Sequence, residues 1–285
     1  MLSKLWVGFC VGVPLFPFAA RADEYEVAGF GVSNYGGAGM CSGSSLMYPV
    51  SDVQSFELAL ISEGYNQFVA QYQNSVNVYD FREASMMTDG HDETDPSGSD
   101  FADVIFFSGH GSHTCSASAH YSQIWMGSMG DKMDPTCDPQ LQQEMRLGDA
   151  GGDANVMILA SCESAQRCVF IAGGYSAIHA GTTEFNVHNG FHGTSWDNLA
   201  NDGWYGDYAT SAEFEGIGDD WVDWLTDTPW GDDQCATSIV WGASSATVTD
   251  IFNHGGFKDF HVSALIGVGA FYYMSPCNPG NGEAL

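Results

Sequence analysis

The chain has 285 residues, 7 of them basic and 36 acidic, for a formal net charge of −29. Such a field repels nucleic acid and anionic membranes, so neither is expected as a partner, while cationic partners or plain solubility in a salty medium both fit. The length allows a sizeable core in one domain of upper-middle size, or in two.

Residues 1–22, MLSKLWVGFCVGVPLFPFAARA, combine Lys4, an apolar stretch from Leu5 to Phe18, and Ala20-Arg21-Ala22. They read as a secretory signal peptide cleaved after Ala22. As a membrane anchor the stretch is short and interrupted by Pro14 and Pro17. The expected mature chain, 23–285, is a single domain that is secreted or periplasmic. Seven cysteines remain after Cys10 leaves: Cys41, Cys115, Cys137, Cys162, Cys168, Cys235 and Cys277. An oxidising compartment favours pairing, and an odd number leaves at least one thiol over.

Glu26 to Val32 (EVAGFGV) predicts a first strand, followed by a Gly- and Ser-rich loop through Ser45. In SDVQSFELALISEGYNQFV (51–69), Ser51 with Gln54 makes a capping-box pattern, and Val53, Phe56 and Leu60 recur at helical spacing. Residues 75–81 (SVNVYDF) alternate like a half-buried strand, and 88–100 is a polar surface loop. Asp103–Phe107 (DVIFF) and Asn155–Ala160 (NVMILA) are short continuous apolar runs, which suit parallel strands buried on both faces. Tyr175–Gly181 is a further strand candidate, Ser238–Trp241 a weaker one, and His261–Tyr273 a last apolar run. Residues 185–235, rich in Gly, Asp and Trp, give no clear assignment. Alternation of helix-period and strand-period segments predicts an α/β fold.

In open α/β sheets the site lies beyond the carboxyl ends of the strands. There, DVIFF runs into Ser108-Gly109-His110-Gly111 and NVMILA into Ser161-Cys162-Glu163. A thiol needs a nearby imidazole to become a useful nucleophile at neutral pH. The glycines allow sharp turning and close approach, and the amides of Gly111 and Cys162 are candidate oxyanion donors.

These two blocks, FFSGHGS and ILASCESA, resemble the signature of the caspase–legumain–gingipain group of cysteine peptidases. The Cys-Glu-Ser run is most similar to legumain, and the order of elements over roughly 26–181 fits that fold. The chain is also similar to a related bacterial secreted domain of unknown function. The resemblance implies a mostly parallel, caspase-like α/β sheet covered by helices on both faces. It implies Cys162 as nucleophile, His110 as general base and acid, Gly111 as an oxyanion donor, and Glu163 as a substrate-binding residue. Gly109 stands where legumain has an aspartate, and the other specificity-pocket residues have no match. One reactive thiol plus three disulfides would use all seven cysteines; the simpler alternative pairs Cys162, for instance with Cys168. The expected activity is a peptidase or transpeptidase acting on a peptide or protein substrate through an acyl-enzyme, with basic substrates favoured by the charge.

Other readings compete. A binding module could keep the fold without turnover. His110, His113, His120, His179, His188 and His192 could hold zinc, but GHGSH is neither HExxH nor a cysteine ligand pair, and no metal or cofactor is expected. Asp219, Asp220, Asp223, Asp227, Asp232 and Asp233 could attract calcium, although their spacing matches no EF-hand loop. Trp221, Trp224 and Leu225 sit at the spacing of a buried helix face.

Overall fold

The computed structural model describes residues 25–35, 43–94, 97–127, 144–149, 151–178, 184–197, 203–226, 234–259, 268–274 and 277–280. The signal segment, Cys41, Cys137, His179, Asp227, Asp232 and Asp233 lie outside these residues. In chain order the elements are β1 (Glu26–Gly31), α1 (Pro49–Ser62), β2 (Asn66–Tyr72), β3 (Val104–Ser108), β4 (Gly111–Cys115), β5 (His120–Ile124), β6 (Val156–Ala160), α2 (Arg167–Ile171), β7 (Val187–Phe191), α3 (Trp204–Ser211), α4 (Ile217–Thr226), β8 (Ala236–Gly242), α5 (Ser245–His254) and β9 (Val268–Tyr273).

Seven strands form one sheet in the order β2-β1-β3-β6-β7-β8-β9, and β4 and β5 form a separate hairpin. The pairs from β2 through β7 are parallel; β8 runs antiparallel to both of its neighbours. The apolar runs VIFFS and VMILA lie at the centre, every residue buried. Alternate side chains enter two cores. Val104, Phe106, Val156 and Ile158 meet α1, α3, α4 and α5 through Phe56, Tyr208, Trp221 and Val248. Phe56 stacks on Phe106 with ring centroids 4.4 Å apart. On the other face Ile105, Phe107, Met157 and Leu159 meet Val76, Phe81, Ile124, Met145 and Val169 of α2.

Four sequence expectations are corrected. The helix predicted over 51–69 starts at Pro49 and ends at Ser62, and Asn66–Tyr72 is a strand parallel to β1. Proline suits a helix's first turn, where no amide partner is needed. The Asp197 carboxylate, remote in sequence, accepts the amides of Met47 and Tyr48 just before it. Ser51 is no cap: its hydroxyl donates to Tyr48 O. Gly64, at φ +97°, turns the chain out of the helix. Residues 75–81, predicted as a strand, lie in short 3-10 turns, because β2 already occupies the edge beside β1. Of the strand candidate at 175–181, residues 179–181 lie outside the described residues and the rest falls in a 3-10 turn, Gly174–Ala177; β7 takes the position beside β6. By contrast, β8 spans the weaker candidate at 238–241, and of the last apolar run the part from Val268 to Tyr273 forms β9, while 261–267 lie outside the described residues.

Disulfides Cys115–Cys168 and Cys235–Cys277 tie β4 to α2 and the start of β8 to the chain after β9. They span 53 and 42 residues, and loop closure of that size is worth about 4 kcal/mol each in the chain-entropy account. Among the described residues, no helix is long and apolar enough to cross a membrane.

Candidate active site

The register of the central strands aligns the two marked stretches. Ser108 pairs with Ala160, so His110 and Cys162 each sit two residues past a paired position. Gly109 N donates to Ala160 O at 3.2 Å, which extends the ladder toward the loops. Both side chains line one cavity of about 280 Å³, whose other walls include Leu46, Asp52, Ser195, Trp196, Asp197 and Tyr205.

The His110 ring is held on two sides. Its centroid lies 4.7 Å from that of Tyr35 and 5.6 Å from that of Trp125. Its Nε2 lies 2.8 Å from the Ser44 carbonyl oxygen. A carbonyl only accepts, so this contact makes Nε2 the protonated nitrogen and leaves the lone pair on Nδ1. The His110 amide donates to Tyr35 Oη at 2.7 Å. A side chain on Gly109 would come within 2.5 Å of that same oxygen.

Cys162 is the cysteine left unpaired among the described residues. Its Sγ lies 3.6 Å from Ser195 O, as donor, and 3.4 Å from Ser195 N, as acceptor. Burial pushes the thiol's pKa up; the Ser195 backbone contact pulls it down and the Glu163 charge raises it further. The resting group is therefore a thiol. No hydrogen bond joins it to His110, whose ring faces Ser44 instead.

Gly111 opens β4 directly against the Cys162 backbone, where an added Cβ would meet Cys162 O at 2.3 Å. Trp125 N donates to His110 O, and Gly111 pairs with Ile124. Bonded and non-bonded pairs alternate in an antiparallel ladder, so the Gly111 amide points away from β5. Glu163 takes a different direction. It has a left-handed backbone, φ +57°, and its amide donates to Gly193 O at 2.6 Å. Its carboxylate lies 2.9 Å from His113 Nδ1 in the hairpin rather than on the cavity wall. The structure thus brings His110, Gly111 and Cys162 together and turns Glu163 toward β4.

Several contributors had no signature in the sequence. Ser44 offers its carbonyl, with its hydroxyl 3.4 Å from the same His110 Nε2, and Ser195 offers its backbone to the thiol. Asp52, from α1, accepts the Ser108 hydroxyl at 3.0 Å beneath the cavity. Two hydroxyls clamp the loop after Cys162: Ser122 donates to Glu163 O, and Tyr175 accepts the Gln166 amide.

The other histidines have separate duties. His188 is buried in β7 with Nε2 2.9 Å from Ser164 O, and burial pushes its pKa down to about 4. His192 Nδ1 accepts the Arg167 amide. His113 lies near Cys115 and Cys168, whose sulfurs are joined in a disulfide. In α4, Trp221 is core, its Nε1 donating to Gly190 O, while Trp224 is part-exposed. Comparison with protein-family models and with curated proteins found no match.

Proposed function

We propose that this chain is a secreted cysteine peptidase of the caspase–legumain–gingipain kind, with His110 and Cys162 as its dyad. The observation that carries the reading is their convergence: two strand-end side chains, remote in sequence, line one cavity, and the thiol there is the unpaired one. The two disulfides fit an oxidising compartment. The finer fold expectation, a caspase-like sheet with helices on both faces, belongs to the same proposal.

In this mechanism His110 turns from its resting contact so that Nδ1 takes the Sγ proton. The thiolate attacks the peptide carbonyl carbon, forming a C–S bond while the carbonyl pair moves onto oxygen. The Gly111 and Cys162 amides meet that oxyanion. On collapse the C–N bond breaks, and the leaving amine takes the proton from His110. Water then gives a proton to His110 and hydrolyses the thioester, which restores the thiol. An amine in place of water gives transpeptidation. At rest the Ser44 carbonyl fixes the tautomer of the base, with the proton on Nε2.

Hydrolysis of a peptide library tests the reading. Cys162→Ala and His110→Ala are each expected to lower turnover at least about a thousandfold. Iodoacetamide mapping of the unreduced protein is expected to label Cys162. Unchanged turnover in Cys162→Ala would sink the assignment. A second reading, a module that binds peptides without cleaving them, is favoured by the resting contacts, since the imidazole faces Ser44 and burial holds the thiol protonated. Peptide binding without turnover in the wild-type chain would select it.

A further inference from the structure

The opposite edge of the central strands gathers carboxylates. Just before β3 lie Asp92, Glu93 and Asp100, just before β6 lies Asp149, and Glu83 comes from the preceding turn. One carboxylate oxygen each of Glu83, Glu93 and Asp149 lies within 4.8 Å of the other two. Glu83 is fully buried; its Oε1 accepts the Ser85 amide, while its Oε2 has no hydrogen-bond partner. Asp92 is equally buried, and its Oδ2 is likewise unpartnered. So is Oδ2 of Asp100, whose Oδ1 accepts the Gly148 and Ala154 amides.

A buried, unpaired carboxylate oxygen is costly, and several of one sign sharing a site cost more. Arg82 bonds Glu144 and Asp89. Glycine lets the backbone pack closely on these carboxylates: a Cβ at Gly151 would lie 3.2 Å from Glu93 Oε2, and one at Gly152 would overlap Asp100 Oδ2.

The geometry points to a calcium site formed by the carboxylates of Glu83, Glu93 and Asp149. Calcium binds oxygens at about 2.3–2.6 Å, so two oxygens on opposite sides of one ion are roughly 4.8 Å apart. The three converging oxygens fall within that span. Asp92 and Asp100 are further buried carboxyl groups near them, and water completes the shell. Magnesium demands a shorter, stricter octahedron and gives up its water reluctantly, so the looser acidic ring favours calcium. Joining the segments before β3 and β6, the ion would stiffen the base of the sheet without touching His110 or Cys162.

The test uses the full chain, with calcium chloride added after dialysis against chelator. Calorimetry is expected to show saturable binding, and the melting temperature is expected to rise by ~5 °C at a hundredfold excess over the dissociation constant. The double variant Glu93→Gln/Asp149→Asn, at the two less buried ligands, should melt no lower than wild type in chelator. It should lose the calcium increment. Cys162→Ala should keep it, which separates this site from the peptidase proposal. No saturable heat, an equal increment from magnesium or from sodium chloride at matched ionic strength, or an undiminished increment in the double variant would overturn the assignment.

Discussion

Past their carboxyl ends β3 and β6 lead into His110 and Cys162; ahead of their amino ends stand Asp103 and Asn155, with the carboxylates of Asp100 and Asp149 upstream. The carboxyl end is crowded by glycine and backbone. Gly109 packs on Tyr35, Gly111 on Cys162 O, and the thiol and imidazole each rest on a main-chain carbonyl. The amino end is crowded by charge, and several of its carboxylate oxygens have no partner. Five-residue strands, wholly buried, hold the ends apart. In the proposed reading, one end orients side chains for chemistry and the other gathers carboxylates for an ion.

The largest expected effects test whether the two ends are independent. Cys162→Ala should remove turnover while the melting temperature stays within about 2 °C, because a small side chain leaves one wall of an open cavity. Glu93→Gln/Asp149→Asn should leave kcat/KM within about threefold. A large loss of turnover in that double variant would show that the ends are coupled through β3 and β6.

Gly111→Ala sharpens the carboxyl-end half of the comparison. Its Cβ would meet a backbone carbonyl, not the tip of a flexible side chain, so β4 or the Cys162 loop must move. Overpacking of this kind costs about 1–3 kcal/mol. Urea unfolding should register it, and turnover should fall further than stability does, since the shift displaces the Gly111 amide.

How much of this contrast was legible in the sequence differs between the ends. His110 and Cys162 could be found because each follows a continuous apolar run, and core packing alone gives no reason to end two such runs on an imidazole and a thiol. The amino-end cluster is spread over 83–149 in polar loops, and nothing in spacing says that Glu83 and Asp149 meet. The same limit hid β7. Its sequence, VHNGF, is polar, yet every residue is buried because Asn189 donates to Tyr208 Oη and Ile217 O, and His188 faces Ser164 O. β2 was lost to the helical pattern ahead of it, since NQFVAQY forms an edge strand that is only partly buried and carries weak alternation. The hairpin β4–β5 is equally polar, and its fixed point is the Cys115–Cys168 disulfide, a pairing that spacing leaves open.

A buried carboxylate that belongs to neither end measures what burial does to an acid in this fold. Glu57, on α1, accepts from Gln67 Nε2 and Tyr72 Oη, and burial pushes it up to about 7 from 4.5. A raised acid contributes its stability in full below the unfolded value and loses it as pH rises through the folded one. Wild-type stability should therefore decline between about pH 4.5 and pH 7.5, by roughly 2 kcal/mol from this group alone. Glu57→Gln should flatten that part of the profile and be the more stable chain at pH 8. An unchanged slope would mean that Glu57 is charged in the fold and that burial matters less at the amino-end cluster too.

The smallest effect concerns Glu163, the residue that leaves the cavity for the hairpin. Its ion pair with His113 is partly exposed, and such pairs contribute about 1 kcal/mol or less. Its left-handed backbone costs an L-residue roughly 1–2 kcal/mol, which glycine does not incur. Glu163→Gly should therefore be more stable than Glu163→Ala by about 1 kcal/mol, the reverse of the usual order at an ordinary loop position. Both variants lose the carboxylate equally, so the difference reports backbone conformation alone. If alanine proves the equal of glycine, the turn after Cys162 is not held left-handed in solution. Glu163 would then be free to swing toward the cavity, where it could meet substrate.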